Sequence, residues 1–337
     1  MRIVLSRLDR LGDLILSTPA IASVRRSWPG AHVTIVCSRY NAVVVERNPD
    51  VDAIAILPSG VRPGVFGRRF RGRCDLALAL APCAPDFSLV RATGARRRVA
   101  YTYRRRYLAR LTAPLFVTDM LVSEADPDLC ERRKDYAVRH EVDQLLALVE
   151  RAGAHELVRE LVLPIDDVDR NAVAHVPAGG ITFHLAPRWF KEGCTLASTV
   201  GLIGELRRFG LPVVVTYGVD AIEEAGAIRA AGVADAVAGG LSFSQWAAAF
   251  EKSRVVVTVD TGATHVASAT RRPTVVLFEH RYFHLNSQEW PPYHVPSACL
   301  RKPSDETPEA LAACRASVVE AVDALLHGRT AAPSTTV

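Results

Sequence analysis

Lysine is scarce: Lys134, Lys191, Lys252 and Lys302 are the only four in 337 residues. Positive charge is therefore carried almost wholly by arginine, which stays ionised and forks onto carboxylate and phosphate oxygens. No apolar run reaches the 18 residues of a membrane-spanning helix, and the opening MRIVLSRLDR has charges where a secretion signal needs an apolar stretch. A cytoplasmic location is expected. The seven cysteines at 37, 74, 83, 130, 194, 299 and 314 include no CxxC pair, which argues against a disulfide framework and a zinc site. They read as thiols kept reduced. There is no Gly-x-Gly-x-x-Gly after the first strand and no Walker A loop, so dinucleotide oxidoreduction and ATP hydrolysis of those kinds lose support. Short repeats and heptads are also missing.

What is present is alternation. The length suits two domains, each with its own core. In the first half, strand-like runs at 2–5, 32–37, 53–57, 76–80 and 98–101 are separated by helical stretches such as 20–28 and 137–152. The stretch 164–180, PIDDVDRNAVAHVPAGG, combines acids, prolines and glycines and reads as a linker. The pattern then restarts. Strands are expected at 181–185, 211–216, 255–259 and 274–278, and helices at 195–209, 220–231, 243–251, 263–269 and 308–326. Strands alternating with helices predict parallel sheets covered on both faces. The expected class is α/β: two Rossmann-like domains, 1–165 and 176–328, with a cleft between them and a disordered tail at 329–337. Ligands in such sheets bind beyond the carboxyl ends of the strands.

The net charge of +5 is unevenly spread. Residues 1–160 hold 26 Lys and Arg against 18 Asp and Glu, the remainder 15 against 18. Thirteen arginines fall within 62–110, opposed only by Asp75 and Asp86. Such a region favours anionic partners. No recognised nucleic-acid motif accompanies it.

Three constellations carry chemistry. The first is LSRLDRLGDLILSTP, from Leu5 to Pro19. Gly12 permits a close backbone approach, and Asp13 falls where the first strand gives way to a helix. That helix either starts at Asp13 and kinks at Pro19, or starts at Thr18 with the proline at its first position. The second is VVVTVDTGATHVASA: a buried strand ends at Asp260, Thr261-Gly262 opens a helix, and His265 lies in its first turn. Helix N-terminal N–H groups attract phosphate oxygens. The third, FHLAPRWFK, places Arg188 and Lys191 just past a strand, where both can meet phosphate. The pairs Asp50/Asp52 and Asp167/Asp169 look like metal-binding Asp-x-Asp but sit in acidic loops, and no metal is expected.

Together, in this order and on these elements, the three resemble family 9 glycosyltransferases, best known as ADP-heptose:lipopolysaccharide heptosyltransferases. The likeness spans most of 1–327, and its specific segments are RLDRLGDLILSTPAIASVRRSWPGAHVTIV and VTVDTGATHVASATRRPTVVLF. It implies a GT-B fold and an inverting, metal-independent transfer, with no cofactor beyond a nucleotide-sugar co-substrate, ADP-heptose foremost. Carried over, Asp13 is the general base. Lys191 and Arg188, with Asp260, Thr261, Gly262 and His265, hold the donor diphosphate, and Glu224 (or Glu223) reads the nucleoside. Gly12, Arg62, Arg69 and Arg98 face an anionic glycolipid or oligosaccharide acceptor. That acceptor implies peripheral contact with the inner membrane.

Two departures fall on the donor side. The Leu-Phe pair is followed by Glu279-His280-Arg281 rather than a Gly-Pro-Thr type loop, and the turn after the strand is His184-Leu-Ala-Pro-Arg. A glycine-poor loop with an acid should hold a sugar phosphate differently. Two rival readings keep the architecture: a nucleotide-sugar 2-epimerase, and an inactive nucleotide-sugar-binding protein.

Overall fold

The computed structural model of the chain describes residues 1–133 and 135–329. The chain forms two compact units, Met1–Leu163 and a second beginning at Pro164. The tail expected at 329–337 lies outside the described residues from 330 onward.

The first unit holds a six-stranded parallel sheet: β1 (Arg2–Arg7), β2 (His32–Ser38), β3 (Ala53–Leu57), β4 (Leu76–Ala79), β5 (Arg97–Tyr103) and β6 (Asp119–Ser123). Their spatial order is β3-β2-β1-β4-β5-β6. From β1 the chain builds outward to β2 and β3, then returns to place β4 on the other side of β1. The connections therefore diverge between β1 and β4, the kind of point beyond whose carboxyl ends ligands bind in open α/β sheets. β1 pairs Leu5 with Ile35 on one side and Leu78 on the other. All but its first residue are buried, as expected of a strand covered on both faces.

Helix Leu11–Ser27 follows β1 directly and carries Pro19 inside it. This settles the choice left open by sequence. The proline has no N–H for the carbonyl of Ile15, and Thr18 Oγ1 donates to that carbonyl at 2.7 Å instead. Hydroxyls of this helix also bind the closing strap of the unit. Thr18 accepts from Val162 N at 3.0 Å, Ser23 from Val158 N at 2.8 Å, and Ser27 from His155 N at 2.9 Å.

The second unit repeats the plan with β7 (Ile181–Leu185), β8 (Val213–Tyr217), β9 (Ala236–Ala238), β10 (Val255–Val259), β11 (Thr274–Phe278) and β12 (Ser297–Arg301). The order β12-β11-β10-β7-β8-β9 puts its divergence between β7 and β10. The core is built from Ile181, Phe183, Val213, Val215, Val257 and Leu277 with the helix Pro308–Leu326 behind them.

Three expectations need correction. The stretch 164–180 is not an open linker: it contains helix Asp167–Ala172, and the acids read as loop residues form its capping box, Asp166 with Asp169. The helix expected over 137–152 is confined to Glu141–Arg151. Strands β6, β9 and β12, and helix Phe283–Glu289, were not expected at all. No helix of the described residues is long and apolar enough to cross a membrane.

Candidate active site

In the first unit the divergence point between β1 and β4 is organised by Arg7, the last residue of β1, which is 2% exposed. Its Nε meets Asp9 Oδ1 at 2.8 Å, Nη1 meets Glu141 Oε1 at 2.9 Å, and Nη2 meets Asp13 Oδ1 at 3.2 Å. Nη1 also donates to the carbonyl of Leu80, just past β4. Burial alone pulls this guanidinium down, and Asp9, Asp13 and Glu141 outweigh it, so Arg7 stays well above the usual arginine range. Tyr101 Oη donates to Glu141 Oε1 at 2.7 Å. Burial pushes the Glu141 carboxyl up to about 7 against the pull of Arg7. Ser6 Oγ donates to Asp86 at 2.5 Å, and burial lifts Asp86 to about 7 as well.

Asp13 thus stands on the first turn of its helix with one oxygen held by Arg7 and the side chain 19% exposed. Gly12 beside it is buried. A carboxylate fixed on one oxygen and open to solvent can take a proton from a hydroxyl placed against it.

In the second unit, Arg188 follows β7 and Asp260 follows β10, so their ion pair (Nη2 to Oδ2, 3.2 Å) spans that sheet's divergence point. Arg188 Nε also meets Glu279 Oε1 at 2.9 Å, with Lys191 Nζ 3.8 Å from the same oxygen. The two cations expected to hold phosphate are thus brought together with Asp260, around the acid of the altered loop. Thr261 caps helix Gly262–Ala269, accepting from Ala263 N at 3.4 Å. His265 is buried on that helix. Glu224 lies one strand over, half-buried in the first turn of helix Ile222–Ala231, which follows β8.

The loop carrying these cations is fastened from below. Lys302, buried after β12, donates to the carbonyls of Arg188 and of Trp189, the latter at 3.3 Å. Burial lowers its pKa. Gly193 has a φ of +62° and lies so close to Pro303 that a Cβ would meet its carbonyl oxygen at 2.2 Å, so only glycine fits. His184 is buried against Trp246, bonded to Thr216 at 3.0 Å, and pushed down to about 3 by burial, which leaves it neutral.

The arginines of 62–110 are not equivalent. Arg62, Arg68, Arg71 and Arg91 line an open groove of about 770 Å³ with Ser88 at its wall. Arg69 stacks over Phe66 at 4.7 Å. Arg98 is drawn into the fold, donating to the carbonyls of Phe116 at 3.0 Å and Ala95 at 2.5 Å. Arg62 therefore belongs to the groove and Arg98 does not. Among the described residues no cluster of His, Cys, Asp and Glu is able to hold a metal. Asp52 is engaged by Val33 N at 2.7 Å and by Arg25.

Sequence reasoning missed Arg7, Glu141, Tyr101, Asp86 and Lys302. The available signal was a charged residue ending an otherwise apolar strand, at Arg7 and again near Lys302.

Residues 201–319 match the model of Glycosyltransferase family 9 (heptosyltransferase), which bears out the resemblance over a stretch that includes Asp260 to His265. No curated protein matches the chain. Among solved structures, the family 9 glycosyl transferase from Veillonella parvula DSM 2008 aligns over 97% of both chains at 20% identity with a TM-score of 0.77. The E. coli ADP-heptose lps heptosyltransferase II aligns over 97% of this chain and 99% of its own, at 18% identity and 0.73. A UDP-GlcNAc 2-epimerase from Neisseria meningitidis, bound to UDP-GlcNAc, aligns over 97% and 92% at 12% identity and 0.54. At these identities the likeness shows the fold, two Rossmann-like units of GT-B type.

Proposed function

We propose, from the premise that this chain is a glycosyltransferase whose residues 201–319 match family 9, that it moves a heptose or related sugar from a nucleotide donor to an anionic glycan. The donor in this reading is an ADP-sugar, ADP-heptose foremost. The acceptor is a lipopolysaccharide-core-like or other negatively charged oligosaccharide, reached from the cytoplasmic face of the inner membrane. The observation that carries the reading is Asp13, partly exposed at the head of its helix with one oxygen on Arg7.

Asp13 takes the proton of the acceptor hydroxyl as that oxygen attacks the anomeric carbon. The new C–O bond forms on the face opposite the breaking bond to the diphosphate, so configuration inverts. Proton transfer of this kind contributes roughly 10²–10⁴-fold. Arg188 and Lys191, with the N–H groups following Thr261, neutralise the departing nucleotide diphosphate without a metal. Arg62 and its groove neighbours meet the acceptor's charge.

Asp13→Asn tests this. Transfer is expected to be lost while nucleotide binding, read by calorimetry, survives. Unchanged turnover removes Asp13 as the base. A thermal-shift screen of nucleotide sugars identifies the donor, since a ligand of the folded state raises its apparent stability. Conversion of donor without acceptor, seen by NMR, replaces transfer with epimerisation. Tight donor binding with neither reaction leaves a binding protein.

A further inference from the structure

The connection from β5 to the edge strand β6 divides its apolar residues in two. Ala113 and Val117 are buried and Phe116 packs beside them in the core of the first unit. Tyr107, Leu108, Leu111 and Leu115 stay exposed. Leu108 and Leu111 are both 79% exposed, with Tyr107 and Leu115 nearly as bare. Helix Tyr107–Thr112 buries no residue at all. Positions three and four apart are neighbours on a helix surface, so Leu108 and Leu111 share one side of the helix, and Leu115 follows in the 3-10 turn Ala113–Leu115. A contiguous exposed apolar patch marks a surface that something covers.

The charge around the patch says what covers it. The segment 104–115 reads RRRYLARLTAPL, four arginines and no acid. Arg104 and Arg105 are matched by Glu124 at 2.9 Å and Asp128 at 2.6 Å. Arg106 and Arg110 lie over the rings of Tyr103 and Tyr107 and donate to carbonyls rather than carboxylates, which leaves their charge uncompensated. Leucines flanked by a tyrosine and arginines suit the boundary between acyl chains and anionic headgroups. A protein partner would offer aliphatic contact without requiring positive charge at the rim.

We propose that Tyr107–Leu115 is a membrane-docking element whose leucines enter an anionic lipid surface while Arg106 and Arg110 bind its phosphates. This deepens the reading above, in which the acceptor is reached from the cytoplasmic face of the inner membrane. Its test contains neither donor nor acceptor, so it can fail independently of the proposed reaction.

The full chain is floated with vesicles of phosphatidylethanolamine and phosphatidylglycerol, and with phosphatidylcholine alone. Binding is expected to the anionic vesicles and to weaken with salt. Leu108→Ser with Leu111→Ser is expected to lower partitioning about tenfold or more, and Arg110→Gln about fivefold. Circular dichroism should show both variants folded, since the side chains bury nothing. Equal binding of the double variant and the wild type overturns the proposal, as does failure of the wild type to bind. Sedimentation showing a dimer that the double variant abolishes, with vesicle binding unchanged, assigns the patch to a second copy of the chain instead.

Discussion

Arg7 ends β1 and Arg188 follows β7, and each meets carboxylates at the divergence point of its own sheet. Their surroundings differ. Arg7 is buried and carries Asp9, Asp13 and Glu141, whereas Arg188 is 25% exposed and carries Asp260 and Glu279. A buried cation among carboxylates cannot be exchanged, because removing it strands charges away from water. A partly exposed one can trade one anion for another at lower cost. The first arrangement therefore suits fixing a reacting group, and the second suits a charged ligand that arrives and leaves.

The sharpest way to break this comparison is to remove each arginine. Arg7→Met should cost about 3–5 kcal/mol of folding stability, read by urea denaturation, whereas Arg188→Met should cost about 1 kcal/mol or less. If the two lose equal stability, burial does not distinguish them. The reverse order is expected for nucleotide binding. Arg188→Met should raise the donor Kd about tenfold by removing a charge-assisted contact, with Tm nearly unchanged. Glu279 occupies the cations that the proposed function assigns to the diphosphate, so Glu279→Gln should tighten donor binding a few-fold by lifting that competition. Weaker binding in calorimetry means that Glu279 orders the site instead of competing for it.

A pH profile sharpens the buried side. Asp86 titrates at about 7 in the folded protein, against its ordinary 3.8. A folded state that holds the proton more tightly than the unfolded one gains stability at low pH and loses it as pH rises through that window. Wild-type stability should therefore carry a downward contribution between about pH 4 and 7 from this group. Asp86→Asn keeps an acceptor for Ser6 and should make that part of the profile shallower, leaving the share that Glu141, also lifted to about 7, contributes. An identical slope in both proteins excludes Asp86 as its source.

Elements that announced themselves in the sequence did so through composition. VVVTV at 255–259 and ITFHL at 181–185 are buried on both faces and read as strands. β9 is only AVA, and β12 is SACLR with no β-branched residue, so neither stands out. Asp13, Arg188, Lys191 and the DTGxxH stretch were legible because they follow strands in recognisable order. Glu141 was not, since it reaches Arg7 across 134 positions and nothing in its own neighbourhood, at the start of an amphipathic helix, distinguishes it from a solvated acid. The acids at 166–169 misled for the opposite reason: caps and linkers draw on the same residue types.

The hydroxyl ladder on the first helix has a consequence for how the chain is made. Thr18 receives its partner from Val162, 144 residues later, and Ser23 and Ser27 wait nearly as long. On the ribosome the first helix therefore emerges early but stays unlatched until the strap at 155–162 has been synthesised. The unit boundary at Leu163 is thus also a point in time. Once it clears the exit tunnel, the first half can lock before the second begins to fold, in keeping with domains that mature in order of synthesis.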